Sequence, residues 1–217
     1  MVRRSFTLIE LIFAIIVISI AMLAIPPLFR ILSTQTLESL KSEAILQSYR
    51  TILSVLTYAW DENSPSPDTN RSFILDVTNG DSELDRNGVS RFRRADFGQK
   101  VSRKFFQNPT YATTILGPEG GDEDDIDDFD GKVEHITKEA GDILLDMNLT
   151  TKVDYILDSA NYSSSTLSFT IPITSATAST NIKLIEVNAT SPDGDLVVLR
   201  AFSCNVGEPK LESKELP

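Results

Sequence analysis

Two sets of carboxylates have the type and spacing that could do chemistry. Glu10 stands near the start of a long apolar run. An ionised acid inside hydrocarbon is costly unless it is paired, so Glu10 predicts a cationic partner, which can belong to another chain. The second set is crowded into residues 122–130 and consists of Asp122, Asp124, Asp125, Asp127, Asp128 and Asp130, with Glu123 among them. These like charges repel one another unless something neutralises them.

A hard cation is one way to fold the acidic run of residues 122–130. Ca²⁺ takes about six to eight oxygen ligands, and carboxylates suit it, so the six aspartates are candidate Ca²⁺ ligands. The EF-hand pattern does not fit, because aligning Asp128, Asp130 and Gly131 with its third, fifth and sixth positions puts Ile126 at the first. The alternatives are a solvated, disordered acidic loop and a loop that docks on a basic surface. The basic segment 91–104 is a possible source of counter-charge.

No enzyme constellation accompanies these carboxylates. The chain has one histidine, His135, and one cysteine, Cys204, and it contains no CxxC, HExxH or glycine-rich phosphate loop. We therefore predict a protein that is not an enzyme and requires no cofactor. His135 is predicted to lie on the surface, and Cys204 to be a buried thiol that cannot form an intramolecular disulfide.

The element that must position Glu10 is a membrane helix. Residues 11–29 contain Ser19 as their one polar residue, and as a helix they reach roughly 28 Å, which just spans a bilayer. Arg3 and Arg4 precede the run, and the positive-inside rule keeps them cytoplasmic and the rest of the chain outside. A cleaved secretory signal is disfavoured, because the apolar run is longer than usual and no small-x-small site follows it.

The segment SFTLIEL, residues 5–11, resembles the amino-terminal motif of type IV pilins and of type II secretion pseudopilins. It has a short basic leader, a small residue before the cut, and Glu10 as the fifth mature residue. The resemblance implies that a prepilin peptidase cuts between Ser5 and Phe6 and methylates the amino group of Phe6. The family usually has Gly where Ser5 stands. Pro27 falls where these families place a helix-kinking proline.

This resemblance implies a structural subunit, namely a minor pilin or a pseudopilin of a type IV pilus or a type II secretion pseudopilus. Its partners would be other pilin or pseudopilin subunits, prepilin peptidase, the inner-membrane assembly platform and the membrane itself. The chain would cross the bacterial inner membrane once, with its N-terminus cytoplasmic, and then enter a filament in the periplasm or at the cell surface. Many type IV pilins pair two cysteines, so the lone Cys204 leans toward a pseudopilin or minor subunit. The alternative is an uncleaved, signal-anchored binding protein.

Beyond the membrane, the helix is predicted to continue as an amphipathic segment over residues 30–60. Pro26 and Pro27 would kink or locally melt it where the two parts meet. Turn-forming residues 61–67 end it. The predicted buried stripe consists of Leu37, Leu40, Ala44, Tyr49, Ile52, Leu53, Leu56 and Trp60.

The rest of the chain predicts an antiparallel sheet in one extracytoplasmic domain. Runs rich in β-branched and aromatic residues occur at 153–157, 166–172, 182–188 and 196–202, and residues 191–194 form a turn signal between the last two. The predicted fold is α+β, with a long N-terminal membrane-spanning helix whose amphipathic continuation packs on the sheet. The predicted parts are a leader (1–5), an assembly helix (6–29), its continuation (30–60) and a globular domain (61–217), with loops at 61–150 and the sheet at 151–205.

The basic segment 91–104 is interleaved with and followed by phenylalanines, a pattern that can indicate nucleic-acid binding. These are Phe92, Phe97, Phe105 and Phe106. The net charge of −11 opposes that interpretation. The phenylalanines are better explained as anchors to the core. We therefore predict no nucleic-acid partner.

Overall fold

The structure is a computed structural model, and it describes residues 7–66, 71–86, 103–137, 146–157, 160–162, 164–166, 168, 170, 172–192 and 194–207. One long helix, α1 (Leu8–Val55), comes first, and the four strands that follow form one antiparallel sheet. This is the predicted α+β architecture. The chain divides into two compact units, Met1–Glu43 and Ala44–Pro217.

The first unit contains the apolar part of α1. Its large apolar side chains from Leu8 to Leu32 are all exposed. By length and composition α1 is able to cross a membrane, and none of its most apolar window is buried. The helix therefore fits a membrane anchor, as its sequence predicts.

The helix ends at Val55, five residues before the predicted end at Trp60. The N–H groups of Thr57 and Tyr58 donate to carbonyls three residues back, so the chain leaves α1 through tight turns. Ala59 then pairs with Asp125, and its carbonyl accepts the Ile126 N–H at 3.0 Å. Because the backbone of Ala59 is paired with that of residues 125 and 126, it cannot also continue the helix.

Only one face of the helix packs in the second unit, and the predicted stripe was partly wrong. The buried residues of α1 are Ala44, Ser48, Ile52 and Val55. The predicted Tyr49, Leu53 and Leu56 are exposed, because Tyr49 and Leu53 lie on another face of α1 and Leu56 follows its last residue. With the exposed Leu46 they form what we call the outer stripe.

The sheet is larger than predicted and its strands follow chain order. The strands are β1 (Val133–Ile136), β2 (Met147–Ile156), β3 (Ile182–Ser191) and β4 (Gly194–Cys204), each antiparallel to its neighbour. The sheet therefore begins well before residue 151, and β1 was not predicted. β1 has four residues with mostly exposed side chains, so its sequence shows little of the alternation between apolar and polar residues that predicts a strand.

The predicted hairpin between the last two strands is confirmed. Ser191 pairs with Gly194, and Gly194 has a φ of 127°, a value that favours glycine. The predicted strand at 166–172 is wrong for its described residues, since positions 166, 168, 170 and 172 lie outside any strand. β-branched residues need a paired, half-buried surface to form a strand.

The core of the second unit lies between α1 and one face of the sheet. Ile52 and Val55 of α1 belong to the same buried cluster as Leu149, Val153 and Val187 of the sheet. Leucine, isoleucine and valine side chains that are fully buried contribute about 1.5–3 kcal/mol each. This packing holds the end of α1 and the sheet together and positions the polar groups between them.

A partly buried ion pair secures the loops that precede the sheet. The Arg86 guanidinium donates to the Asp76 carboxylate at 2.8 Å and to the Phe106 carbonyl at 2.7 Å, and it lies over the Phe105 ring. Phe105 is buried and Phe106 packs against the core, as predicted for the phenylalanines of this segment. Residues 91–102, which hold most of the basic segment, lie outside the described residues.

Candidate functional site

Glu10 lies in the first turn of α1, where its N–H donates to the Thr7 carbonyl at 3.0 Å. Its side chain is exposed, and within the described part of the chain no cation reaches ion-pair distance. A carboxylate at a helix N-terminus is favoured by the helix dipole, but hydrocarbon demands a full counter-charge. Ser5 and Phe6, the predicted cleavage and methylation residues, lie outside the described residues.

Pro26 and Pro27 lie inside α1, which is assigned as helix without interruption. The predicted local melting is therefore absent from this structure, while the kink stays a prediction. Each proline removes a backbone donor from the helix. Farther along, the Ser33 and Thr34 hydroxyls donate to the Arg30 carbonyl at 3.0 and 2.9 Å, which satisfies polar side chains within an apolar helix.

The acidic run is folded and partly buried, which corrects the interpretation of it as a solvated, disordered loop. Asp127–Phe129 forms a 3-10 helix, and Asp125, Asp127 and Asp128 are buried. Asp128 Oδ2 accepts the N–H groups of Asp124 and Asp125 at 2.8 and 3.0 Å. Asp125 Oδ1 accepts the Asp127 N–H at 2.8 Å. The carboxylates thus bind their own backbone and fix a tight turn, which we call the acidic turn.

The acidic turn is fastened to β2. The carboxylate of Asp130 accepts the Val153 N–H at 2.9 Å, and the Gly131 N–H donates to the Thr151 carbonyl at 3.0 Å. Gly131 has a φ of 76°, a left-handed conformation that L side chains rarely adopt. Asp130 therefore links the acidic turn to the sheet through a hydrogen bond.

The counter-charge of the acidic turn is Lys183 of β3, a residue that the sequence analysis missed. Its side chain is 0% exposed. Lys183 Nζ contacts Asp127 Oδ1, donates to the Trp60 carbonyl at 2.6 Å and lies 3.4 Å from Asp61 Oδ2. Burying an ammonium group is tolerated when charge partners and acceptors surround it in this way.

Aromatic rings close the site around the ammonium group. Lys183 Nζ lies 4.5 Å from the Trp60 ring centroid and 5.4 Å from that of Tyr155. The Tyr155 hydroxyl donates to the Thr113 carbonyl at 2.8 Å, and the Thr113 N–H donates to Asp61 at 2.9 Å. We call Lys183 and the residues around it the lysine cluster. Its members are Trp60, Asp61, Asp125, Asp127, Tyr155 and Lys183.

Burial raises the pKa of two groups of the lysine cluster, Asp127 and Tyr155. Desolvation is the largest cause that raises the pKa of Asp127, to about 8, with Lys183 opposing the shift and Asp125 adding to it. Burial and then the charge of Asp61 raise the pKa of Tyr155, so its hydroxyl stays protonated. Asp125 Oδ2 and Asp127 Oδ2 are buried and find no hydrogen-bond partner among the described residues.

The residues that the structure describes contain no group of three or more His, Cys, Asp or Glu side chains arranged to hold a metal ion. Of the six candidate ligands, Asp125, Asp127 and Asp128 are already engaged in the acidic turn, and Asp122 and Asp124 are exposed. Binding of Ca²⁺ by the acidic run stays a prediction.

A comparison with known families identifies the N-terminal segment. Residues 1–26 match the model of the prokaryotic N-terminal methylation motif, and this match includes Ser5, Phe6, Glu10 and Pro26. The chain carries the prepilin-type cleavage and methylation motif. No curated protein matches the chain, and no solved structure matches it. The prepilin-type motif thus characterises the membrane end of the molecule, and the lysine cluster lies beyond it.

Two single residues lie away from both sites. His135, on β1, is exposed as predicted, and its Nδ1 donates to Asn148 Oδ1 at 2.7 Å across the sheet. Cys204, at the end of β4, is half-buried against a small cluster of Ile156, Ile182 and Leu184. The prediction of a buried thiol is therefore correct only in part.

A signal for Lys183 was present in the sequence. Side chains alternate across a strand, so Lys183 shares a face with Ile185, Val187 and Ala189, all of which are buried. A lysine on the apolar face of a strand needs a buried acid, and the acidic run was available to supply it. The sequence analysis did not connect Lys183 with the acidic run, because Asp127 and Lys183 are 56 positions apart in the chain.

Proposed function

We propose that the protein is a structural subunit of a type IV pilus or a type II secretion pseudopilus, and more narrowly a minor pilin or a pseudopilin. One observation carries this proposal: the prepilin-type motif at residues 1–26 runs directly into a helix whose apolar side chains are exposed. In such a subunit the helix is stored in the inner membrane and then packs against the helices of other subunits.

Assembly through this helix gives Glu10 a defined task. Cleavage after Ser5 creates an amine on Phe6, and a modest axial stagger brings the amine of one chain to Glu10 of the next. Neutralising both charges in a low-dielectric bundle favours one stagger over others. The Glu10 side chain is exposed at the start of α1, where a neighbouring helix can reach it.

The proposed partners follow from the same steps. Prepilin peptidase would cut and methylate the chain, the inner-membrane assembly platform would extract it, and other pilin or pseudopilin subunits would cover its helix. The second unit would then lie outside the membrane, in the periplasm or at the cell surface. The lone Cys204 supports a pseudopilin or minor subunit, since it offers no cysteine pair within the chain.

Mass spectrometry of the protein isolated from its native host tests the proposal. We expect the N-terminal peptide to begin at Phe6 and to carry one methyl group on its amine. The matched control is the same protein from a host strain that lacks prepilin peptidase, which should retain residues 1–5. Retention of residues 1–5 in both strains would contradict the proposal and favour the alternative, an uncleaved, signal-anchored binding protein.

A further inference from the structure

We propose that Lys183 and Asp127 react with each other to form an intramolecular isopeptide bond between Lys183 Nζ and Asp127 Cγ. The two reacting groups are in direct contact, and both side chains are 0% exposed. Nothing in the prepilin-type motif bears on this site, since that motif ends at residue 26.

The reaction needs only these two side chains and a means of moving protons. A proton first passes from the ammonium group to the Asp127 carboxylate, which gives a neutral amine that can act as a nucleophile and a neutral acid. Nζ then attacks Cγ, a C–N bond forms, and Nζ loses a proton. The C–O bond to one carboxyl oxygen breaks, and that oxygen leaves as water. No oxidant or reductant is required, because no atom changes its oxidation state.

Two neighbouring aspartates are placed to carry the protons. Asp61 Oδ2 lies 3.4 Å from Lys183 Nζ, where it can accept the proton that the amine loses on attack. Asp125 Oδ1 accepts the Asp127 N–H at 2.8 Å, and Asp125 Oδ2 is buried without a partner among the described residues. That oxygen is available to receive the proton that Asp61 took from the amine and to pass it to the departing carboxyl oxygen, which then leaves as water. Asp61 therefore contacts a reacting atom, and Asp125 assists from beside the acid.

The surroundings favour the amide over the separated acid and amine. Trp60 and Tyr155 place their rings over the ammonium group, and the fully buried site limits the water that would reverse the reaction. Holding the amine against the carboxyl replaces an encounter in solution by an intramolecular step, for which effective molarities reach about 10⁵–10⁸ M. The bond would join two residues 56 positions apart in a chain with one cysteine, and so supply a cross-link that a disulfide cannot.

Tryptic mapping of the full chain, purified from membranes in detergent, tests the proposal. Trypsin cannot cut after an acylated lysine, so an isopeptide bond would join peptide 105–132 to peptide 153–200 as one branched species. We expect this branched peptide, lighter than the sum of its two parts by one water, with fragmentation placing the link at Asp127 and Lys183. Recovery of unmodified 105–132, 153–183 and 184–200 as separate peptides would overturn the proposal.

A matched pair of variants separates this bond from other ways to lose water. Asp130 precedes Gly131, and a succinimide there would give the same mass loss within peptide 105–132. In Lys183→Arg the branched peptide should vanish and the intact mass should show no missing water. Lys152→Arg changes an exposed lysine on the neighbouring strand and should keep both signatures. Water loss that persists in Lys183→Arg would identify the succinimide and overturn the isopeptide assignment.

A third variant tests the role of Asp61 without removing either reacting group. Asp61→Asn keeps the size of the side chain but removes the proton acceptor beside Nζ. We expect a smaller fraction of branched peptide than in the unmodified protein when both are sampled at the same time after synthesis. An equal fraction would show that Asp61 has no part in the proton transfer.

Discussion

Lys183 Nζ donates to the carbonyl oxygen of Trp60 at 2.6 Å while it lies 4.5 Å from the centroid of the indole ring of the same residue. The indole N–H in turn donates to the Ser203 carbonyl at 3.3 Å. Trp60 thus connects the chain just past α1 to two strands of the sheet. Because it is the one tryptophan of the chain, its fluorescence reports on the folding of the lysine cluster.

Removing the lysine should strongly destabilise the second unit. Lys183→Met leaves Asp127 and Asp61 buried without their cation, and breaking a buried pair in this way costs about 3–5 kcal/mol. Urea denaturation of the full chain in detergent, followed by Trp60 fluorescence, measures the change in the free energy of unfolding.

The control for this measurement is a lysine of the same sheet that is not buried. Lys152 pairs with Asp154, and its side chain is 58% exposed, so Lys152→Met should cost no more than about 1 kcal/mol. Equal losses in the two variants would contradict the importance of the lysine cluster.

The Lys183→Met variant should lose stability as the pH rises. Burial, aided by Asp125, raises the pKa of Asp127 from 3.8 to about 8 in the folded protein, and Lys183 opposes that shift. Without Lys183 the folded state still holds a proton that the unfolded state releases above about pH 4. The free energy of unfolding should therefore be highest below about pH 4 and fall as the pH rises above that value.

Denaturation curves of Lys183→Met at several pH values check this expectation. The double variant Lys183→Met/Asp127→Asn is the control, and this part of the slope should be absent from it. A slope of the opposite sign would mean that Asp127 is stabilised as a carboxylate by a cation other than Lys183.

The sequence revealed those parts of the molecule whose signals are local. The apolar run, the β3–β4 turn at residues 191–194 and the prepilin-type motif each occupy neighbouring residues. The turn and the motif were confirmed, and the apolar run forms a helix that is able to cross a membrane by length and composition. The end of α1 and the lysine cluster depend on contacts between distant residues. Ala59 pairs with Asp125, and Lys183 meets Asp61 122 residues away, so no short window contains either signal.

Glu10→Gln should leave the protein inserted and cleaved but impair its incorporation into filaments. The neutral amide cannot neutralise the amine of a neighbouring chain, which would then be buried without a counter-charge. The ratio of the subunit in sheared filaments to that in membranes measures the effect. Glu38→Gln, on the same helix, should behave like the unmodified protein. Equal incorporation of the two variants would show that Glu10 has no role in assembly.

The outer stripe of Leu46, Tyr49, Leu53 and Leu56 should contact another subunit in the filament. Leu53→Glu places a charge on this exposed apolar face, so we expect less filament incorporation with little change in unfolding, since Leu53 lies outside the buried core. Ser54→Glu adds the same charge on a different face of α1 and serves as the control. If Leu53→Glu assembles as well as Ser54→Glu, the outer stripe faces solvent in the filament.

Calcium should have little effect on the melting temperature beyond that of ionic strength. Backbone N–H groups and Lys183 already engage the buried carboxylates of the acidic turn. Thermal melts of the full chain with Ca²⁺, with Mg²⁺ and with EDTA, all at equal ionic strength, compare the two explanations. A rise in melting temperature with millimolar Ca²⁺ that Mg²⁺ does not match would indicate that a cation binds the folded state, as the sequence hypothesis holds.

The chain-order sheet has a consequence for the timing of folding. Each strand pairs with its neighbour in sequence, so the sheet can grow by successive local steps. The lysine cluster brings together Asp61, Asp127 and Lys183, which are far apart in the chain, so we expect it to close last. In a partly folded subunit, the Lys183 ammonium group and the carboxylates of the cluster would still be exposed to solvent. In the folded subunit they are buried. With the covalent link in place, Asp127 and Lys183 would stay joined even in the unfolded chain, whose conformational freedom would be smaller by the entropy of that closed loop.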